Sequence, residues 1–111
     1  MNKPLDGIVV VELSNYVAAP SAARVLADLG AEVIKIEGFK GDPWRISGKN
    51  ITKTDDLENP LFDVYNMGKK SICINIKNEA GLEVVFRMLE DADVFITNVR
   101  EKSLIKLGLD G

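Results

Sequence analysis

The stretch from residue 8 to residue 37 constrains the fold more than any other part of the sequence. It begins with residues 8–13, a short, β-branched and almost continuously apolar segment typical of a strand covered on both faces of a parallel sheet. A helix is predicted next, with Pro20 in its first turn, Gly30 after its last turn, and one apolar stripe formed by Ala22, Val25, Leu26 and Leu29. A second apolar segment, residues 33–36, follows. The pattern predicts a βαβ unit with parallel strands and a right-handed crossover.

The rest of the chain extends this alternation. Residues 38–66 carry glycine, proline and mixed charge without a period, which predicts a long loop with one short element near residues 61–65. Isoleucines at positions 72, 74 and 76 predict a third strand, and Asn78 predicts the N-cap of the next helix. A fourth strand is expected at residues 94–97, and a short helix at Glu101–Leu107 that stops at Gly108. The order predicts an α/β fold: an open, mostly parallel, Rossmann-like sheet with helices on both faces.

Composition excludes several classes of function. The 111 residues are enough for one domain, and the net charge of −3 argues against a nucleic-acid-binding surface. No apolar run approaches the length of a membrane span, and the N-terminus lacks the apolar segment of a signal peptide. A single cysteine, Cys73, fits a reducing cytoplasm. With no histidine, the chain lacks Ser-His-Asp and Cys-His pairs and the usual zinc ligands, so no metal site is expected.

The carboxyl ends of the predicted strands are the expected ligand site, since open parallel sheets bind ligands there. These ends lie at residues 14–19, at Glu37 and Gly38, at Lys77, and at residues 98–100. Together with the start of the first helix, basic side chains near this rim suit a phosphorylated ligand; they are Lys77, Arg100, Lys102 and Lys106. The alternative is that these are solvated surface charges.

Three further positions bear on the kind of ligand. Glu37 ends the second strand, where an acid would hold a ribose in a dinucleotide site, but residues 14–19 contain no glycine. A GxGxxG turn needs glycines for the pyrophosphate, so neither NAD nor flavin binding is expected. Cys73, between isoleucines, is predicted to be buried and inert. Trp44 either caps a ligand or pins its loop to the core.

Ten short segments, in order along the chain, carry a family resemblance. They are residues 5–7, 10–13, 18–20, 26–37, 41–43, 66–72 (Asn66 and Lys69 to Ile72), 75–77, 92–94, 98–100 and 107–109. Together they resemble the start of family III CoA-transferases. Within that family the chain is most similar to 2-hydroxyacyl-CoA transferases of the phenyllactate and 2-hydroxyisocaproate type, from amino-acid-fermenting anaerobes.

The resemblance implies an enzyme that moves CoA between carboxylic acids through acyl anhydride and glutamyl- or aspartyl-thioester intermediates. The family's nucleophilic aspartate lies beyond this sequence, so no catalytic residue is expected within it. The implied substrates are an acyl-CoA, with coenzyme A as the group transferred, and a carboxylic acid acceptor. The implied assembly is an interlocked homodimer of the full-length enzyme. Residues 1–111 are therefore interpreted as the N-terminal CoA-binding part of a longer enzyme, inactive alone.

By motif position, the resemblance implies CoA contacts from Val17, Ala18, Gly38, Ile74, Asn75, Ile76, Lys77, Asn98, Val99, Arg100 and Lys106. Three positions depart from the family pattern. Gly38 replaces a common arginine, Val17 replaces a glutamine found in some members, and Val99 replaces the aromatic residue of an Asn-aromatic-Arg-Pro-Gly motif. Two alternatives are an acyl-CoA racemase of the same superfamily and a non-catalytic nucleotide-binding module.

Overall fold

The computed structural model describes residues 3–52 and 59–110, except for the side chains of Lys49 and Thr52. Its strands are β1 (Val9–Leu13), β2 (Glu32–Glu37), β3 (Lys70–Cys73) and β4 (Val94–Thr97). Its helices are α1 (Ala18–Asp28), α2 (Trp44–Thr52), α3 (Pro60–Asn66), α4 (Glu79–Glu90) and α5 (Glu101–Leu107). The four strands form one sheet in the order β3-β2-β1-β4, and all three neighbouring pairs are parallel. The predicted α/β fold is confirmed.

β1 is an inner strand of this sheet, which explains its apolar composition. Val11 and Leu13 pack on the face of α4, in a core with Ile36 and Val85. Val10 points the other way, into a second core with Ala23 of α1. Val10 and Val11 are fully buried, and each contributes about 1.5–3 kcal/mol through burial. The sheet therefore has one apolar core on each face.

The helix boundaries confirm several predictions from the sequence. The Asn78 side chain accepts a hydrogen bond from Ala80 N at 2.9 Å and caps α4. Gly30 has a φ of 107° just after α1, and Gly108 has a φ of 74° at the C-cap of α5. Both glycines therefore occupy backbone conformations that L-residues rarely adopt. α5 spans the predicted residues, Glu101–Leu107.

The prediction of one long loop over residues 38–66 is wrong where the structure describes it, because α2 and α3 lie there; residues 53–58 are outside the described residues. Isolated helices of this length are unstable in water, so tertiary contacts must hold them. Trp44 of α2 donates its Nε1–H to Leu61 O of α3 at 3.2 Å. The Asn59 side chain caps α3 by accepting from Phe62 N at 3.2 Å. Such contacts leave no periodic signal in the sequence.

The prediction for the third strand is also corrected. β3 ends at Cys73, and the buried Ile74 that follows still donates its N–H to Glu37 O of β2 at 2.8 Å. Ile76 and Lys77 then form a turn before α4. Cys73 is exposed, contrary to the prediction of a buried thiol, since β3 pairs with β2 on one side and forms an edge of the described sheet. None of the described helices has the length and apolarity needed to cross a bilayer.

Candidate functional site

A groove of about 460 Å³ lies at the carboxyl edge of the sheet, where the turns after the strands converge. It is lined by residues 36–41 and 74–77, and by Leu13, Asn15, Pro43 and Val99. We call this the carboxyl-edge groove. Parallel sheets bind ligands at this edge, because the connections there are free to form a crevice.

The walls of the carboxyl-edge groove combine apolar surface with positive charge. Leu13, Ile36 and Ile74 form its base and belong to the core under α4. Among its described lining residues, Lys40 and Lys77 are cationic, and both are exposed. An apolar floor with lysines at the rim suits a ligand that joins an apolar arm to phosphate groups.

Six of the residues for which CoA contact is predicted line this groove. They are Gly38, Ile74, Asn75, Ile76, Lys77 and Val99. The Asn75 side chain accepts from Lys77 N at 3.1 Å, which shapes the turn that presents Lys77. A Cβ added to Gly38 would meet nothing within 4 Å, so the space of the family's arginine is open here. These positions are brought together as the topology predicts, and their contact with CoA stays a prediction.

Five predicted residues lie outside the lining of the groove. Val17 and Ala18 are at the start of α1, with Val17 half-buried and Ala18 exposed. The Asn98 amide exchanges two hydrogen bonds with the backbone of Asn15, at 3.2 and 2.8 Å, and joins β4 to the turn after β1. Arg100 and Lys106 are exposed at the two ends of α5. Their contacts with CoA also remain predictions.

The contacts of Trp44 support the interpretation that it pins its segment of the chain. Its ring lies edge-on to Tyr16 at 6.1 Å and 6.4 Å from the ring of Tyr65. Together with the bond to Leu61, these contacts pin α2 to its surroundings. Glu37 has a comparable role, since both its carboxylate oxygens accept from Arg45 Nε at 3.1 Å. The acid at the end of β2 therefore anchors α2.

On the α1 face of the sheet lies a buried cluster of four charges, absent from the sequence predictions. Glu12 of β1, Lys35 of β2, Asp42 and Lys69 form it, and we call it the buried quartet. Lys35 Nζ lies 3.1 Å from Glu12 Oε2 and 3.0 Å from Asp42 Oδ2. Lys69 Nζ lies 2.7 Å from Glu12 Oε1. Each Glu12 oxygen thus faces a different ammonium group, and the charges balance.

Hydrogen bonds hold both ammonium groups of the buried quartet in place. Lys35 Nζ donates to Glu12 Oε2 at 3.1 Å and to Ser14 O at 3.2 Å. Lys69 Nζ donates to Asn66 Oδ1 at 2.8 Å and to Pro20 O at 3.0 Å. The contacts of Lys35 with Asp42 Oδ2 and of Lys69 with Glu12 Oε1 are ion pairs, and these two buried oxygen atoms have no hydrogen-bond partner among the described residues. Burial lowers the pKa of Lys69 below its usual 10.5, and the adjacent Glu12 carboxylate opposes the shift.

The available sequence signal for this cluster was the presence of charge inside apolar strands. Glu12 interrupts residues 8–13, and Lys35 lies between Ile34 and Ile36. Buried lysines and carboxylates are rare unless paired, so opposite charges in neighbouring predicted strands indicate a pair. The partners Asp42 and Lys69 come from the connections and have no comparable signal.

The fold and groove define a Rossmann-like α/β domain without a dinucleotide-binding glycine turn. Residues 5–111 match the model of CoA-transferase family III. The (R)-2-hydroxy-4-methylpentanoate CoA-transferase of Clostridioides difficile is 46% identical over 95% of this chain and 27% of its own length. The cinnamoyl-CoA:phenyllactate CoA-transferase of Clostridium sporogenes is 46% identical over 95% of this chain and 26% of its own length.

Solved structures agree with these sequence comparisons. A CAIB/BAIF family protein from Brucella suis superposes with a TM-score of 0.89 and 41% identity, over all of this chain and 30% of that chain. The chain belongs to CoA-transferase family III. The resemblance predicted from the sequence, including its 2-hydroxyacyl-CoA branch, is confirmed. The chain spans about a quarter of the length of these curated relatives, 27% and 26%.

Proposed function

We propose that residues 1–111 are the N-terminal CoA-binding part of a longer CoA-transferase, which moves CoA between a 2-hydroxyacyl or enoyl thioester and a carboxylic acid. The observation that carries the proposal is the carboxyl-edge groove. It brings together Gly38, residues 74–77 and Val99, at which the family resemblance implies CoA contacts, and its two exposed lysines are Lys77 of this set and Lys40. Membership in family III supports the same reaction class. Lys40 and Lys77 would meet phosphate groups, and the apolar floor would support the pantetheine arm.

The proposed reaction uses a carboxylate nucleophile, an aspartate, from the part of the enzyme beyond residue 111. That carboxylate attacks the acyl carbonyl of the bound thioester, giving a mixed anhydride and CoA thiolate. The thiolate then attacks the enzyme's carbonyl of the anhydride, giving an enzyme thioester and free acid. The acceptor carboxylate then attacks the enzyme thioester, which gives a second mixed anhydride and CoA thiolate. The thiolate attacks the acceptor carbonyl of that anhydride, which releases the new thioester and restores the enzyme carboxylate. During these steps the groove would hold CoA, so that its thiolate stays beside the reacting carbonyl.

Transfer is tested with the full-length protein that carries this sequence. Incubation with cinnamoyl-CoA and phenyllactate, or with a 2-hydroxyacyl-CoA and a second acid, should yield the exchanged thioester. In the absence of acceptor, hydroxylamine should trap the activated carboxylate as a hydroxamate on an aspartate beyond residue 111. Absence of both exchange and trapping would contradict the proposed reaction.

The racemase alternative makes a different prediction with the same protein. A racemase moves the α-proton and would incorporate solvent deuterium at the α-carbon without an acceptor acid. A transferase would leave that position unlabelled. A nucleotide-binding module would bind CoA and give neither labelling nor thioester exchange. Deuterium incorporation in D₂O, read by mass spectrometry, therefore identifies a racemase, and the exchange assay separates a transferase from a binding module.

The wider context of the proposal follows the family resemblance. We place the full-length enzyme in amino-acid fermentation, in the cytoplasm, as an interlocked homodimer. Light scattering after size-exclusion chromatography should give twice the chain mass without dilution-dependent dissociation. A monomer with full transferase activity would contradict the homodimer.

A further inference from the structure

The buried quartet connects three segments of the chain. Through Lys35 it holds Ser14 O, and through Lys69 it holds Pro20 O, so the start of the turn after β1 and the first turn of α1 are both fixed. Asp42 Oδ1 accepts from Tyr16 N at 3.0 Å and from Trp44 N at 2.9 Å. One carboxylate therefore joins the turn after β1 to the loop after β2.

The connected segments also form walls of the carboxyl-edge groove. Gly41 and Pro43, which flank Asp42, both line it. Asn15 also lines it, and its neighbours Ser14 and Tyr16 are the residues bonded by Lys35 and Asp42. Any movement of Asp42 relative to β1 would therefore move two walls of the groove with respect to each other.

The turn held by the quartet has an unfavourable backbone conformation. Tyr16 has a φ of 67°, in the left-handed region that bulky L-residues rarely adopt. The hydrogen bond from Tyr16 N to Asp42 helps to hold that conformation. Apolar side chains of similar volume often replace buried ion pairs without loss of stability. Apolar side chains could not form the hydrogen bonds that hold Ser14 O, Tyr16 N and Pro20 O in place.

We propose that Glu12, Lys35, Asp42 and Lys69 are positioning residues that set the distance between the turn after β1 and the loop after β2, and thereby shape the groove for CoA. The inference rests on the proposed function, because it assigns CoA to this groove. None of the four residues needs to touch CoA. Their effect is on the geometry of Asn15, Gly41 and Pro43 before CoA arrives.

The test removes one ion pair in the full-length enzyme and keeps the remaining charges balanced. The double variant Glu12→Gln/Lys35→Met keeps one negative charge, on Asp42, and one positive charge, on Lys69. Both substitutions approximately preserve side-chain volume. We expect the Kd for CoA and the KM for acyl-CoA to rise about tenfold or more, while kcat at saturation stays within about threefold. The matched control is Glu83→Gln/Arg87→Met, which removes an exposed ion pair on α4 and should change neither constant.

A second variant keeps the charges and changes the geometry. Asp42→Glu adds one methylene between the backbone of residue 42 and the carboxylate, so the loop after β2 should shift. We expect the same rise in Kd in a protein that still folds, with a lower melting temperature because the added methylene enters a fully buried site.

The outcomes separate this proposal from the function on which it rests. Wild-type affinity for CoA in both folded variants would overturn the positioning role alone. Failure of both variants to fold would assign the quartet to folding and would also overturn it. A wild-type protein that does not bind CoA would overturn the proposed function, and the positioning role with it.

Discussion

Glu12 and Lys35 occupy paired positions on neighbouring parallel strands, and their charged atoms lie 3.1 Å apart in the interior. The side chains are 0% and 1% exposed. Because Lys35 also forms an ion pair with Asp42, a single ammonium group interacts with two buried carboxylates. The stability of this region should therefore depend strongly on the presence of that cation.

The first prediction concerns Lys35→Met. It leaves Glu12 and Asp42 with one buried cation between them, and we expect a loss of about 3–5 kcal/mol in the free energy of unfolding. Chemical denaturation of the full-length protein measures this loss. Arg87→Met, at the exposed pair with Glu83, is the control and should cost about 0.5 kcal/mol or less. Equal effects of the two substitutions would contradict the role of the buried pair.

The second prediction concerns the basic side chains assigned to CoA phosphates. Lys77→Ala should weaken CoA binding by about 1–3 kcal/mol, the range for a lost charge-assisted hydrogen bond. The same substitution at Arg100 and Lys106 tests the two predicted contacts outside the groove. Raised salt should weaken wild-type binding in parallel. Lys70→Ala, at the amino end of β3, is the matched control and should leave the affinity unchanged. Wild-type affinity in all three variants at Lys77, Arg100 and Lys106 would show that these side chains are solvated surface charges.

The third prediction concerns the start of α1. Ala18 is exposed, so Ala18→Leu should leave the fold intact while filling the space beside the bound thioester. We expect titration calorimetry to show acyl-CoA affinity reduced about tenfold or more. Ala22→Leu, one turn further along α1 and also exposed, is the matched control. If both variants bind normally, the thioester does not lie against this turn.

The fourth prediction concerns Gly81 in α4. A Cβ there would overlap Asn75 O and lie 3.2 Å from Ile74 Cγ2, both in the segment that lines the groove. Gly81→Ala should therefore cost about 1–3 kcal/mol of stability and also weaken CoA binding. Gly38→Ala should fold normally, because its Cβ has open space. Wild-type stability and affinity in Gly81→Ala would show that the segment does not depend on this close approach.

The parts of the fold that sequence patterns predict are those fixed by burial and by local backbone chemistry. The apolar run of β1 indicates a strand that is buried on both faces. Asn78 and Gly108 indicate helix ends, because Asn is a favoured N-cap residue and Gly a favoured C-cap residue. α2 and α3 are different, because their stability depends on contacts such as Trp44 with Leu61. The exposure of Cys73 departs from the prediction for a related reason. The alternation around Cys73 indicates a strand, but it does not indicate that the strand lies at an edge of the sheet.

The candidate site divides in the same way. Topology alone brings Gly38, Lys77 and Val99 to one edge, because each follows a parallel strand. The buried quartet depends on how connections fold over the sheet, so Asp42 and Lys69 could not be placed from spacing. The Asn98 amide is engaged with Asn15, a pairing across 83 positions that no local pattern reveals.

The most direct test of the central claim is a crystal structure of the full-length protein with CoA bound. We predict that CoA lies in the carboxyl-edge groove, with its phosphates near Lys40 or Lys77 and its pantetheine arm between residues 38–41 and 74–77. CoA bound elsewhere with this groove empty, for example in the cleft beside Phe86 and Gly108, would contradict the account.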